Sequence, residues 1–118
     1  ATTISHDSHN LTVVFRSPEE AYLAAEAMRK CGGGVCVADG SEVTLLPLPV
    51  AGLMSQMVCS DVAEQIEAVQ KKLDTMTDGT VSLLSASVMA LPVLPGVIIT
   101  DRGLVDGLSQ QFISQFEA

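Results

Sequence analysis

Both histidines of this 118-residue chain lie in the run Ser5-His6-Asp7-Ser8-His9-Asn10. His, Asp, Ser and Asn side chains supply hydrogen-bond donors and acceptors, metal ligands and proton carriers. A small interior cannot satisfy so many polar groups, so the run belongs at the surface, as a turn or as part of a site. His and Asn side chains can hold a structural turn by bonding backbone groups. The same groups can bind a small ligand. His6, Asp7 and His9 could also ligate a metal ion, but only in an unusually tight loop, because three or more donors must converge. Nucleophilic catalysis lacks a pattern: Ser5 and Ser8 neighbour His6 without a nucleophile elbow, and nothing lowers a thiol pKa.

A second polar cluster is Asp101-Arg102-Gly103 with Asp106. Arg102 can pair with Asp101 or Asp106 at the rim of a turn, or hold a carboxylate of a partner domain. Cys31, Cys36 and Cys59 are an odd count without disulfide spacing, and read as reduced, buried thiols. Gly32-Gly33-Gly34 follows a helix rather than opening one, so it reads as a helix stop and not a phosphate loop.

The elements that must position these groups follow from pattern. Ala1–Ile4 and Leu11–Phe15 flank the histidine run as two short strands. Ser17-Pro18-Glu19-Glu20 opens a helix, with Ser17 as cap, Pro18 at the first position and Glu20 closing a capping box. The helix runs to Lys30 with Ala21, Ala24, Ala25, Met28 and Cys31 on one face. Gly34–Ala38 and Ser41–Leu46 form a hairpin about Asp39-Gly40, and its apolar runs suggest a sheet covered by helices. Pro47–Ser55 is apolar but irregular, a buried or interface connection. Ser60-Asp61 opens a second helix to about Met76, with Val62, Ile66, Val69, Leu73 and Met76 on its apolar face. Val81–Leu91 suits a buried helix or a strand, with helix favoured for Leu83–Met89; Val97–Thr100 reads as strand, Asp101–Gly103 as a turn, Leu104–Asp106 as a brief segment, and Leu108–Phe116 as a terminal helix. The expectation is one α+β domain over residues 1–118: a small mixed β-sheet packed with two to four helices.

Six basic against fourteen acidic side chains give a net charge of −8. That field disfavours nucleic acid and acidic lipid. An apolar content of 47% excludes a disordered chain, and no run approaches a membrane span. A lightly charged, apolar surface suits a partner, including a second copy of the chain. The chain begins with Ala, as after Met removal or excision from a longer protein, and lacks the basic-then-apolar start of a secretory signal; a cytoplasmic location is expected.

Five segments in order carry a resemblance: Ala1 to Leu11, Gly33-Gly34-Val35, Pro47 to Ser55, Ala90 to Pro95, and Ile99 to Asp106. Together they resemble the C-terminal domain of bacterial adenine deaminases, of the amidohydrolase superfamily, along nearly the whole chain. The resemblance implies conversion of adenine to hypoxanthine and ammonia in the full-length enzyme. It implies a (β/α)8 barrel in which a pair of divalent metals, iron or manganese, activates water. Neither the barrel nor its ligands lie in this chain, so the resemblance implies no catalytic residue and no cofactor here. It implies a domain that packs against the catalytic barrel and shapes its entrance through His6, Asp7, Ser8, His9 and Asn10. Pro47, Leu48, Leu53, Met54, Asp101, Arg102 and Asp106 are the candidate interdomain contacts. Two other functions remain open: a stand-alone ligand-binding or regulatory module, and an oligomerisation domain.

Overall fold

The structure is a computed structural model that describes residues 1–6, 9–91, 93 and 95–114. Three helices, α1 (Pro18–Cys31), α2 (Cys59–Thr77) and α3 (Leu83–Val88), accompany four strands: β1 (Gly34–Asp39), β2 (Glu42–Pro47), β3 (Val97–Thr100) and β4 (Gly103–Asp106). The α+β expectation holds. The strands form two separate antiparallel hairpins, β1–β2 and β3–β4, in place of a mixed sheet. Two-residue turns connect each pair, and such turns permit only antiparallel partners.

α1 forms for the reasons its sequence gives. Ser17 Oγ accepts from the Glu20 N–H at 3.3 Å, Pro18 stands in the first turn, and Gly32 ends the helix at φ 80°. The reciprocal half of the expected capping box is not made. Glu20 Oε1 instead accepts from the Gly40 N–H at 3.1 Å, reaching the tip of the β1–β2 hairpin. α2 starts at Cys59 and ends at Thr77, with Asp78 left-handed beyond it. Ser82 and Ser85 form a capping box for α3, and Gln70 Oε1 accepts from the Leu83 N–H at 3.0 Å, tying α3 to α2.

Strand alternation then sorts the core into two layers. Val35, Val37, Leu46 and Leu48 face α2 and pack with Val69, Ile66, Leu73 and Met76. Cys36, Ala38, Val43 and Leu45 face α1 and pack with Ala24 and Met28. The first hairpin is thus covered by a helix on each face. Its tip is held from both layers: besides Glu20, Lys72 Nζ of α2 lies 2.6 Å from Asp39 and 3.6 Å from Glu42.

Two expected elements differ. Ala1–Ile4 and Leu11–Phe15 meet in a single bridge, Thr2 with Thr12, and Thr2 also bridges Val35. Among the described residues, residues 13–15 enter no bridge. Leu108–Ser114 is not helical; Phe116 lies outside the described residues. Asp106 Oδ1 accepts from the N–H groups of Leu108 and Ser109 and from the Ser109 hydroxyl, closing a turn. Gln110 is left-handed at φ 54°, and the chain folds back so that Phe112 bridges Val105. A strong local acceptor outcompeted the helical spacing.

Among the described residues no helix is long and apolar enough to cross a membrane.

Candidate functional site

The histidine loop is built on a locked base. Thr2 and Thr12 exchange two backbone bonds of 2.9 Å, and the Ser5 and Thr12 hydroxyls meet at 2.6 Å beneath them. Ser5 is 2% exposed, and Thr12 is half-buried. The His6 N–H donates to Ser87 O at 2.9 Å, fastening the loop to α3. The His9 N–H donates to Ser5 O at 2.6 Å, and His9 takes the left-handed conformation at φ 52°. That turn brings the two imidazoles edge to face with centroids 5.1 Å apart. Both rings are exposed, and Asn10 is exposed beside them. Asp7 and Ser8 lie outside the described residues.

Two exposed imidazoles on a fixed base offer donors and acceptors to whatever faces the loop. Among the described residues, no group of three or more His, Cys, Asp or Glu side chains could hold a metal ion.

The second cluster sits at the tip of β3–β4. Asp101 and Arg102 make the turn, and Thr100 Oγ1 accepts from the Arg102 N–H and donates to Gly103 O. The rim ion pair expected for Arg102 is not among the ion pairs of the described residues. Its guanidinium instead lies 5.4 Å from the centroid of the Phe112 ring. Asp106 is engaged with its own turn: the Ser109 N–H and hydroxyl, then the Leu108 N–H, hold its carboxyl below the usual aspartate range.

The Pro47–Met54 stretch divides. Pro47 ends β2, and Leu48 lies in the domain's own core rather than on an outer surface. Leu53 is half-buried and Met54 exposed, on a turn closed by the Met54 N–H to Val50 O at 3.1 Å. Cys36 is buried and Cys31 partly so, but Cys59 is exposed at the start of α2, contrary to the reading of three buried thiols. All three are free.

Two features were hidden in the sequence. Thr3 Oγ1 donates to Gly52 O at 2.6 Å and accepts from the Gly34 N–H at 2.8 Å, pinning three distant segments together. A Cβ on Gly33 would stand 2.5 Å from Gly52 Cα, so the glycine run serves close backbone approach as well as the helix stop. The other feature is an apolar cavity of about 250 Å³ lined by Val13, Phe15, Ala21, Val37, Leu73 and Met76, among others. Neither histidine lines it. Its walls come from segments spread between Ala1 and Ala86, which no local motif announces.

Comparison with known proteins supplies the family. Residues 1–111 match the family model described as the adenine deaminase C-terminal domain. An adenine deaminase of Moorella thermoacetica is 41% identical over 115 residues, covering 96% of this chain and 19% of the relative. One from Methanothrix thermoacetophila is 42% identical over 107 residues, 90% of this chain and 19% of the relative. One from Escherichia coli is 40% identical over 111 residues, 91% of this chain and 18% of the relative. The chain thus spans about a fifth of the length of the curated relatives it matches. It belongs to the adenine deaminase C-terminal domain family.

Proposed function

We propose that this chain works as the C-terminal part of a longer adenine deaminase, packing against the catalytic barrel while the hydrolysis of adenine to hypoxanthine and ammonia takes place there. The observation that carries this reading is similarity along nearly the whole chain to proteins named adenine deaminase. A manganese or iron pair held by the barrel would activate water, and no residue of this chain is assigned to it. This chain's own contribution is at the entrance. The His6–Asn10 loop, braced by Ser5, Thr12 and Ser87, presents two imidazoles whose donors and acceptors suit a neutral purine. The charge of −8 favours the free base over nucleotides, whose phosphates it repels.

The test is adenine turnover by the full-length protein with manganese or ferrous iron, for the wild type, His6→Ala and His9→Asn. Asn tolerates the left-handed backbone at position 9, so the second change removes the imidazole while keeping the turn. Turnover by the wild type with a raised KM in either variant supports the reading. No turnover of adenine by the wild type sinks the activity, and unchanged kinetics in both variants make the loop a structural turn.

A further inference from the structure

The apolar cavity adjoins the backbone pairing of the N-terminal residues. Ala1 and Cys36 exchange two backbone bonds, Ala1 N to Cys36 O at 2.8 Å and Cys36 N to Ala1 O at 2.9 Å. The Thr3 N–H donates to Gly34 O at 2.9 Å. Residues 1–3 therefore run antiparallel to β1 along the edge opposite β2. On their other side Thr2 pairs with Thr12, also antiparallel. The N-terminal residues thus lie between two backbones, and they stop halfway along both.

What lies beyond Ala1 on either side is prepared for pairing. In an antiparallel ladder, alternate residues turn their N–H and C=O groups to opposite edges. Cys36 turns toward Ala1, so Val37 turns toward β2 and Ala38 turns back toward the open edge. By the same count Thr12 faces Thr2, Val13 faces away, and Val14 faces the gap. Val14 is 60% exposed and Phe15 58%, and neither takes part in a ladder. The cavity fills the space between them and Val37–Ala38, closed by Ala21 and Ala24 of α1 on one face and by Leu73 and Met76 of α2 on the other.

We infer that the residues immediately preceding Ala1 in the full-length protein fill this cavity as an added strand, pairing with Val14 on one side and Ala38 on the other. The inference rests on the reading of this chain as the C-terminal part of a longer protein. Register fixes its details. The first residue before Ala1 stands opposite Val37, exchanges its backbone bonds with Val14, and turns its side chain toward Leu73 and Met76. The second stands opposite Phe15, bonds Ala38, and turns toward Ala21 and Ala24. The first is therefore an apolar residue. The added strand joins residues 11–16, β1 and β2 into one four-stranded antiparallel sheet, and the exposed Val14 and Phe15 acquire a neighbour. It also links the domain rigidly to what precedes it, because a chain that enters as an inner strand cannot swing about a linker.

The experiment uses the full-length protein with Cys59→Ser, a cysteine at the second position before Ala1, and Phe15→Cys. Those two positions form a non-hydrogen-bonded pair, with Cα atoms about 4.5 Å apart, inside the range a disulfide spans. Mild oxidation should give an intramolecular bridge, recovered as one cross-linked peptide. In the unmutated protein, the Val14 and Ala38 amides should exchange with solvent as slowly as the paired amides of β1. Free exchange at both amides, or a bridge that forms only between two molecules, overturns the inference. Adenine turnover by the same preparations keeps the two readings apart: turnover with free amides removes only the strand, and protected amides without turnover remove only the deaminase.

Discussion

β1–β2 and β3–β4 are both antiparallel hairpins with two-residue turns, yet their surroundings have little in common. The core residues of β1–β2 pack with α1 on one face and α2 on the other. In β3–β4, Val97 and Ile99 are 59% and 63% exposed, and the returning segment leaves Phe112 and Leu108 largely open. The radius of gyration, 15.4 Å, exceeds the roughly 13.5 Å of a compact domain of this length. The first hairpin is the centre of a fold; the second carries an apolar surface left open among the described residues. A hairpin needs a covered face to be stable on its own, so mutational effects should divide along the same line.

The largest effect should come from Gly34→Ala. Its Cβ would strike the Leu46 carbonyl oxygen at a backbone φ of 153°. Breaking that crossing should cost about 3 kcal/mol or more in urea denaturation; a loss under about 1 kcal/mol would mean that the hairpin and its neighbours slide freely. Next is Val69→Ala, which removes a wholly buried side chain beneath the first hairpin and should cost about 2 kcal/mol. The matching deletion in the second hairpin, Ile99→Ala, should stay within about 0.5 kcal/mol. Equal losses at the two positions would end the contrast between the hairpins. Between these extremes lies a pH effect. The Asp106 carboxyl is held below its ordinary value of 3.8, chiefly by the Ser109 N–H. A depressed carboxylate contributes stability that is complete above the ordinary value and is lost as pH falls through the lower folded one. Amide protection at Leu108 and Ser109 should therefore persist from neutral pH to the ordinary aspartate range and fade below it. Asp106→Asn should weaken that protection and remove its acid transition. The smallest expected effect is chemical. Burial pushes the Cys36 thiol up, so alkylation at neutral pH should mark Cys59 first and Cys36 last.

The sequence was most legible where an element's cause is local. Ser17-Pro18 announces α1, the spacing of Val62, Ile66, Val69, Leu73 and Met76 announces α2, and Asp39-Gly40 announces the first hairpin. His6, His9 and Asn10 could be read as exposed from the polar run they stand in, but Ser5 at its start is buried against Thr12, a contact the run does not announce. Legibility failed where the cause was a competing local bond or a distant partner. Asp106 closes a turn upon Leu108 and Ser109, and this defeats a helical spacing that looks sound by itself. Arg102 finds an aromatic ring that a bridge to β4 brings under it. Leu11–Phe15 has strand composition but, among the described residues, enters only the bridge at Thr12. The Thr3–Gly52 contact and the cavity join residues dozens of positions apart, and composition cannot register such meetings.

The tip of the first hairpin carries one more consequence. Asp39 and Glu42 face each other across the strands, and Lys72 stands between them as one of only six basic side chains. Acetylation of that lysine would leave two like charges in direct cross-strand register. The same ammonium is exposed enough for salt to screen it. A modification or an ionic-strength jump would therefore loosen the hairpin from its tip inward, while the apolar middle, indifferent to salt, stays closed: the domain can fray at one end without melting.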